Sequence, residues 1–219
     1  MNAIELKDVH YAYPGSEESG QEAVKGVTLS IEEGSFVALV GHNGSGKSTL
    51  ARLLNGLFVP TNGDVVVYGV NTKDEKRIYD VRSRVGMVFQ NPDNQMIATN
   101  VADDIAFGPE NLGVELEEII RRVDWALEQV GMSEYRDGTP FKLSGGQRQR
   151  LAIAGVLAIK PRVMVLDEAT AMLDPKGRDE VRAVTRKLNR EEGMTVVHIT
   201  HYMDEALGAD RLIVMNDGL

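Results

Sequence analysis

The 219-residue sequence predicts an α/β fold: a mostly parallel sheet with helices between its strands and a helical segment set into it. Three observations lead there. Short, nearly continuous apolar runs recur at residues 35–40 (SFVALV), 163–166 (VMVL), 196–199 (VVHI) and 212–215 (LIVM), as in strands buried on both faces. Helical patterns separate them at 48–57, 175–192 and 203–207. Residues 91–143 break the alternation, with no strand-like run and one clearly amphipathic stretch.

Taken in order, residues 4–13 and 27–31 alternate apolar and polar side chains, as edge strands do, with a Gly/Ser/Glu-rich loop between them. The run at 35–40 leads into a glycine-rich turn and the helix expected over 48–57. VGMVFQ, ending at Gln90, is strand-like. Within 91–143, the stretch 115–132 (ELEEIIRRVDWALEQVGM) places apolar residues near every third or fourth position, so a helical lobe inserted into the core is expected. No internal repeat or low-complexity segment interrupts the pattern.

Composition narrows the function. Hydrophobic residues make up 42% of the chain, enough for a sizeable core. A net charge of -9 argues against a protein that coats nucleic acid, which requires a basic face. There is no cysteine, so disulfides and cysteine–metal centres are excluded, which fits a reducing compartment. The N-terminal stretch has neither a basic start nor an apolar core of the signal-peptide kind. No apolar run approaches the roughly 20 residues of a membrane span, so a role at a membrane would run through a partner.

Residues 41–48 (GHNGSGKS) match G-x-x-x-x-G-K-[ST] in full. The glycines let backbone N–H groups close on phosphate oxygens, and the following helix adds its positive end. Lys47 would reach the terminal phosphates and Ser48 would hold Mg²⁺. By itself this loop does not separate a kinase, a GTPase and an ATPase. VMVLDEAT (163–170) ends a buried strand in two acids, which is costly unless they face a cation-holding cleft. Asp167 is then the expected Mg²⁺ partner, and Glu168 stands where it could polarise an attacking water. The alternative is a solvated acidic loop. LSGGQ (143–147) forms a second anion-binding helix start, far from the first in sequence. An ordinary Ser cap explains Ser144 but not two glycines in the first turn.

At these residues the chain resembles the ATP-binding cassette (ABC) ATPases. The resemblance implies a P-loop NTPase (RecA-like) fold: a mostly parallel sheet core, an N-terminal antiparallel β subdomain and an inserted α-helical subdomain. It divides the chain into a core of 1–90 and 144–219 and a helical subdomain of 91–143. It further implies ATP and Mg²⁺ as cofactors. ATP would lie on Gly41, His42, Asn43, Gly44, Ser45, Gly46, Lys47, Ser48 and Thr49, with Tyr13 stacked on adenine. Ser144, Gly145, Gly146 and Gln147 would close on the γ-phosphate held by a second ATPase subunit, homo- or heterodimeric and head-to-tail. Gln90 would touch Mg²⁺ and the attacking water alongside Ser48 and Asp167; Asp174 would signal across the dimer. Lys47, Gln90, Glu168 as base and His201 on the γ-phosphate would carry catalysis. His198, inside an apolar run, reads instead as a core histidine.

VFQNPDNQM and DEATAMLDP are more narrowly similar to the ATPases of energy-coupling-factor importers of vitamins or of cobalt and nickel ions. That implies an integral-membrane partner, no nucleic acid, and a cytoplasmic, peripheral position on the cell membrane. The iron–sulfur-assembly ATPases are the alternative, which NPDNQ disfavours. The short span from Gln90 to Leu143 leaves no room for the long coiled coils of chromosome-maintenance relatives. Two departures stand out. Ala171 occupies a position where serine is usual, and the sequence stops at NDGL where the family continues, so a C-terminally shortened chain is expected.

Overall fold

The computed structural model describes residues 1–15 and 21–219; most of the Gly/Ser/Glu-rich loop lies outside the described residues. Two sheets organise the molecule. One is antiparallel, in the order β2-β1-β4-β5: β1 (Asn2–Ala12), β2 (Glu22–Glu32), β4 (Asn62–Val67) and β5 (Val70–Asn71). β1 is paired on both sides, so it is an inner strand rather than the expected edge strand. Its second neighbour, β4, comes from a Gly-Asp-Val-Val-Val run that does not read as a strand by alternation.

The other sheet is parallel throughout, in the order β6-β7-β8-β3-β9. Its inner strands β3 (Phe36–Val40), β7 (Val163–Asp167) and β8 (Thr195–Ile199) are buried at every residue, as is β6 (Val85–Val88) at one edge. Alternate residues serve two cores. Val37, Leu39, Val163, Val165 and Val197 pack with Ile4, Leu6 and Val65 of the antiparallel sheet. Phe36, Met164, Leu166 and Val196 face the opposite way, into the core built by helices. β9 (Arg211–Val214) departs from expectation: it hydrogen-bonds only to β3 at the sheet edge, leaving Leu212 49% and Val214 66% exposed.

α1 (Lys47–Leu54) ends three residues before the expected position. Gly56 takes φ 68° there, and the Leu57 and Phe58 amides turn back to the Arg52 carbonyl. α2 (Ile78–Arg84) leads directly into β6. Residues 91–143 hold α3 (Val101–Asn111), α4 (Leu116–Gln129) and short 3-10 turns. Ile119, Val123, Ala126 and Leu127 form the buried stripe of α4, the spacing that its amphipathic pattern predicts. Both helices pack on α5 (Gly145–Ala158), and their apolar faces join the core under β7 and β8. α6 (Pro175–Glu192) has the expected bounds: Asp174 caps its start through the Gly177 amide, proline opens it, and Gly193 at φ 66° closes it. α7 (Met203–Ala206) is a single turn after β8.

Candidate nucleotide site

The phosphate loop is a connection between a fully buried strand and a helix, and its shape is set by its neighbours. A Cβ on Gly41 would lie 2.2 Å from the Met215 carbonyl oxygen and 2.7 Å from Ser45 Oγ. A Cβ on Gly46 would lie 2.3 Å from the Ala23 oxygen, and Gly46 also takes φ 99°. The first turn of α1 has no side-chain cap and no acidic residue, so its amides and positive dipole end are available to an anion. Lys47, 4% exposed, donates to the Gly41 and His42 carbonyls at 2.9 Å each. His42 and Asn43 are exposed at the loop tip, where His42 Nδ1 lies 2.8 Å from the Asn43 carbonyl oxygen.

Ser48 Oγ donates to Asp167 Oδ1 at 2.7 Å. Burial pushes the Asp167 carboxyl up from its ordinary range, against the hydrogen bond from Ser48 and the nearby Arg52. A half-buried hydroxyl paired with a buried carboxylate beside the glycine-rich loop is a hard-oxygen donor set of the kind Mg²⁺ takes. No group of three His, Cys, Asp or Glu that could hold a metal ion occurs among the described residues. Glu168 follows in a left-handed backbone conformation, φ 49°, its amide bonded to the Ile199 carbonyl. Its Oε1 lies 3.7 Å from Lys47 Nζ and its Oε2 lies 3.5 Å from His201 Nδ1. Three expected catalytic groups from three segments thus meet around one carboxylate.

Tyr13 and Gln90 complete this side. Tyr13, Gly44, Gly46, Lys47, Ser48, Thr49, Gln90 and Glu168 line one open cavity of about 440 Å³. The Tyr13 hydroxyl is 2.8 Å from Thr49 Oγ1, and its ring meets Tyr11 and Phe58 edge-on. Ser144, Gly145, Gly146 and Gln147 line a different cavity of about 530 Å³, which Asp174 shares. The two cavities have no lining residue in common. Ser144 and Gln147 make a reciprocal capping box, and Gly146 lets α5 approach Gly177 of α6. The local cap therefore leaves this helix start lining an open cavity.

The ABC transporter family profile matches residues 24–171, two-thirds of the chain. The chain belongs to the ABC transporter family. Within that family its similarity is to energy-coupling factor transporter ATP-binding proteins EcfA1. It is 54% identical to that of Caldanaerobacter subterraneus over 98% of this chain and 78% of the relative. To that of Symbiobacterium thermophilum it is 57% identical over 98% and 76%. The structure of cbiO1 from Clostridium perfringens, part of the ABC transporter complex cbiONQ, superposes with a TM-score of 0.89 at 36% identity, covering 99% of this chain and 86% of that one. The dimeric cassette MJ0796 bound to ADP and Pi superposes at 0.85 with 32% identity, covering 98% and 95%. The chain is an ATP-binding subunit of the energy-coupling-factor type, an ABC ATPase whose hydrolysis is coupled to transport. Among the described residues no helix is long and apolar enough to cross a membrane.

Several residues around this ABC site have roles that the sequence did not assign, among them Gln95 of the NPDNQ segment. Gln95 accepts from the Phe89 amide at 2.8 Å, and Gln149 Nε2 donates to the Phe89 carbonyl at 3.3 Å. Together they hold the backbone next to Gln90. Ala23 presents its backbone to the cavity from β2. His198 is a core histidine, 1% exposed and stacked on Phe36, yet it also meets a buried carboxylate, Glu205.

Proposed function

We propose that two such cassettes sandwich two ATP molecules head-to-tail. Each nucleotide would lie between Gly41, His42, Asn43, Gly44, Ser45, Gly46, Lys47, Ser48 and Thr49 of one subunit and Ser144, Gly145, Gly146 and Gln147 of the other. The observation that carries this reading is the separation of the two anion-binding surfaces on one chain. Either surface alone is half of a site. Tyr13 would hold the adenine, and Ser48, Asp167 and Gln90 would hold Mg²⁺, which when bound neutralises phosphate charge. Lys47 and His201, both beside Glu168, would neutralise the charge that builds on the transferring phosphoryl group. Glu168, between them, would orient the attacking water and take its proton. Asp174, on the cavity that Ser144–Gln147 line, would report closure across the dimer.

Closing on ATP and opening after hydrolysis would drive an integral-membrane partner for uptake of a vitamin or a transition-metal ion, from a peripheral position on the inner face of the membrane. The groove lined by Leu57, Phe89, Gln95, Ile97 and Phe107 is the surface proposed to receive that partner. The test is the rate of Mg²⁺-dependent hydrolysis against protein concentration. A rate rising as the square of concentration supports composite sites completed by an identical chain. A rate linear in concentration, in a sample monomeric by sedimentation, overturns the sandwich. Reconstitution with the membrane subunit and labelled vitamin or metal ion then decides the cargo.

A further inference from the structure

One buried carboxylate behind the site has no part in the reading above. Glu205 of α7 is 2% exposed. Its Oε2 accepts hydrogen bonds from the Thr200 hydroxyl at 2.6 Å and the Thr170 hydroxyl at 2.9 Å, and lies 3.1 Å from His198 Nε2. Its Oε1 has no hydrogen-bond partner among the described residues. Burying a carboxylate is costly unless donors surround it, and filling the same space with an apolar residue is often neutral or stabilising. Space-filling therefore does not account for a glutamate here.

The donors reveal what the carboxylate connects. Thr170 lies two residues after Glu168, and the Ala171 amide closes the turn on the Glu168 carbonyl. Thr200 immediately precedes His201, and its hydroxyl oxygen also accepts from the Tyr202 amide at 3.0 Å. The backbone on both sides of His201 is thus tied to one hydroxyl, and that hydroxyl to Glu205. Glu168 itself holds φ 49°, a conformation that is strained for a non-glycine residue and persists where surroundings enforce it. Beyond the β7–β8 ladder, which ends with the Glu168 amide on the Ile199 carbonyl, Oε2 fastens the side chains that follow the two strands to one atom.

We propose that Glu205 is a positioning residue: by gathering the Thr170 and Thr200 hydroxyls on one oxygen, it sets the placement of Glu168 relative to His201. This rests on the reading that those two groups act at the γ-phosphate. Burial works against ionisation of Glu205, but the bonds from His198, Thr200 and Thr170 outweigh it and hold its pKa at about 2. The carboxylate is therefore an anion at neutral pH, as an acceptor of several donors on one oxygen should be.

The test compares Glu205→Gln, nearly isosteric, with Thr170→Val, which keeps shape and removes one donor. In the complex assembled with its partner subunits, both are expected to leave KM for ATP within about twofold and lower kcat, Glu205→Gln by about tenfold. In a His201→Ala background the Glu205→Gln loss should vanish, since groups that act as a unit are not additive. Full turnover in Glu205→Gln, or the same fractional loss with and without His201, overturns the proposal. Hydrogen exchange at the Tyr202 amide gives an answer without hydrolysis: about tenfold faster exchange in Glu205→Gln is expected, and unchanged exchange overturns it. A wild-type complex that fails to hydrolyse ATP would sink the functional reading, while the exchange measurement still decides this one.

Discussion

Ser48 Oγ donates a 2.7 Å hydrogen bond to Asp167 Oδ1, joining the first turn of α1 to the last residue of β7. The contact joins a half-buried hydroxyl to a carboxylate that is poorly solvated, Asp167 being only 4% exposed. In that setting a negative charge is uncomfortable, and a divalent cation is its natural compensation.

The first prediction follows from the direction of the Asp167 shift. Its folded pKa is raised, first by burial, so ionised Asp167 opposes folding at pH 7, and the penalty is relieved as pH falls through the raised value. Asp167→Asn keeps an acceptor for Ser48 and removes the charge. The nucleotide-free protein is expected to melt at a higher temperature, while affinity for ATP with Mg²⁺ falls by about tenfold or more. Calorimetry with and without MgATP reads both; a lower melting temperature for the free variant would refute the burial argument.

Glu168→Gln removes the proposed base and leaves its shape. Turnover is expected to fall by about 10² or more, as for loss of a general base, with ATP binding retained. The same change deletes a carboxylate 3.7 Å from Lys47, so nucleotide should not bind more weakly. Filter binding beside phosphate release checks both, and near-normal turnover would reassign the base.

Gly46→Ala must push a methyl group against the Ala23 carbonyl, at a φ of 99° that alanine avoids. Strain of this kind costs about 1–3 kcal/mol before any backbone shift. The urea midpoint is expected to drop accordingly, and ATP binding to be lost because the loop amides move. A variant that binds ATP with wild-type affinity would show that the close approach is not what shapes the loop.

Acid should weaken the fold through Glu205. Its folded pKa, about 2, lies below the ordinary 4.5, so its contribution is fully present above about 4.5 and lost as pH falls toward about 2. Glu205→Gln lacks this titration. Stability measured by urea unfolding between pH 5 and pH 2 is expected to fall less steeply in the variant (about one proton fewer taken up on unfolding); equal slopes would contradict the assignment.

Much of the parallel core was legible because its strands are buried on both faces. Residues 35–40, 163–166 and 196–199 read as apolar runs, and β3, β7 and β8 occupy them with every residue buried. The same rule failed for 212–215: apolar composition also suits an edge strand, and only the pairing of β9 with β3 alone exposes Leu212 and Val214. β1 looked like an edge for the converse reason. Its alternation records one buried face and says nothing about how many neighbours bond its backbone.

What the sequence determined by itself was chemistry that a contiguous backbone carries. A glycine-rich loop, a capped helix start and a strand ending in Asp-Glu each declare themselves within a few residues, because the required groups are backbone amides and adjacent side chains. Only the tertiary structure decided which of these meet. Lys47, Glu168 and His201 converge because β3, β7 and β8 are neighbours in one sheet, whereas the LSGGQ segment faces another cavity. It also decided the supports. Gln95 and Gln149 bracket Phe89, and Glu205 gathers Thr170 and Thr200, through hydrogen bonds between segments distant in the chain. Gln95 and Thr170 lie inside short motifs, but a motif does not name the distant partner, since the energy of such a contact depends on the distance between two atoms in space and not on their separation along the chain.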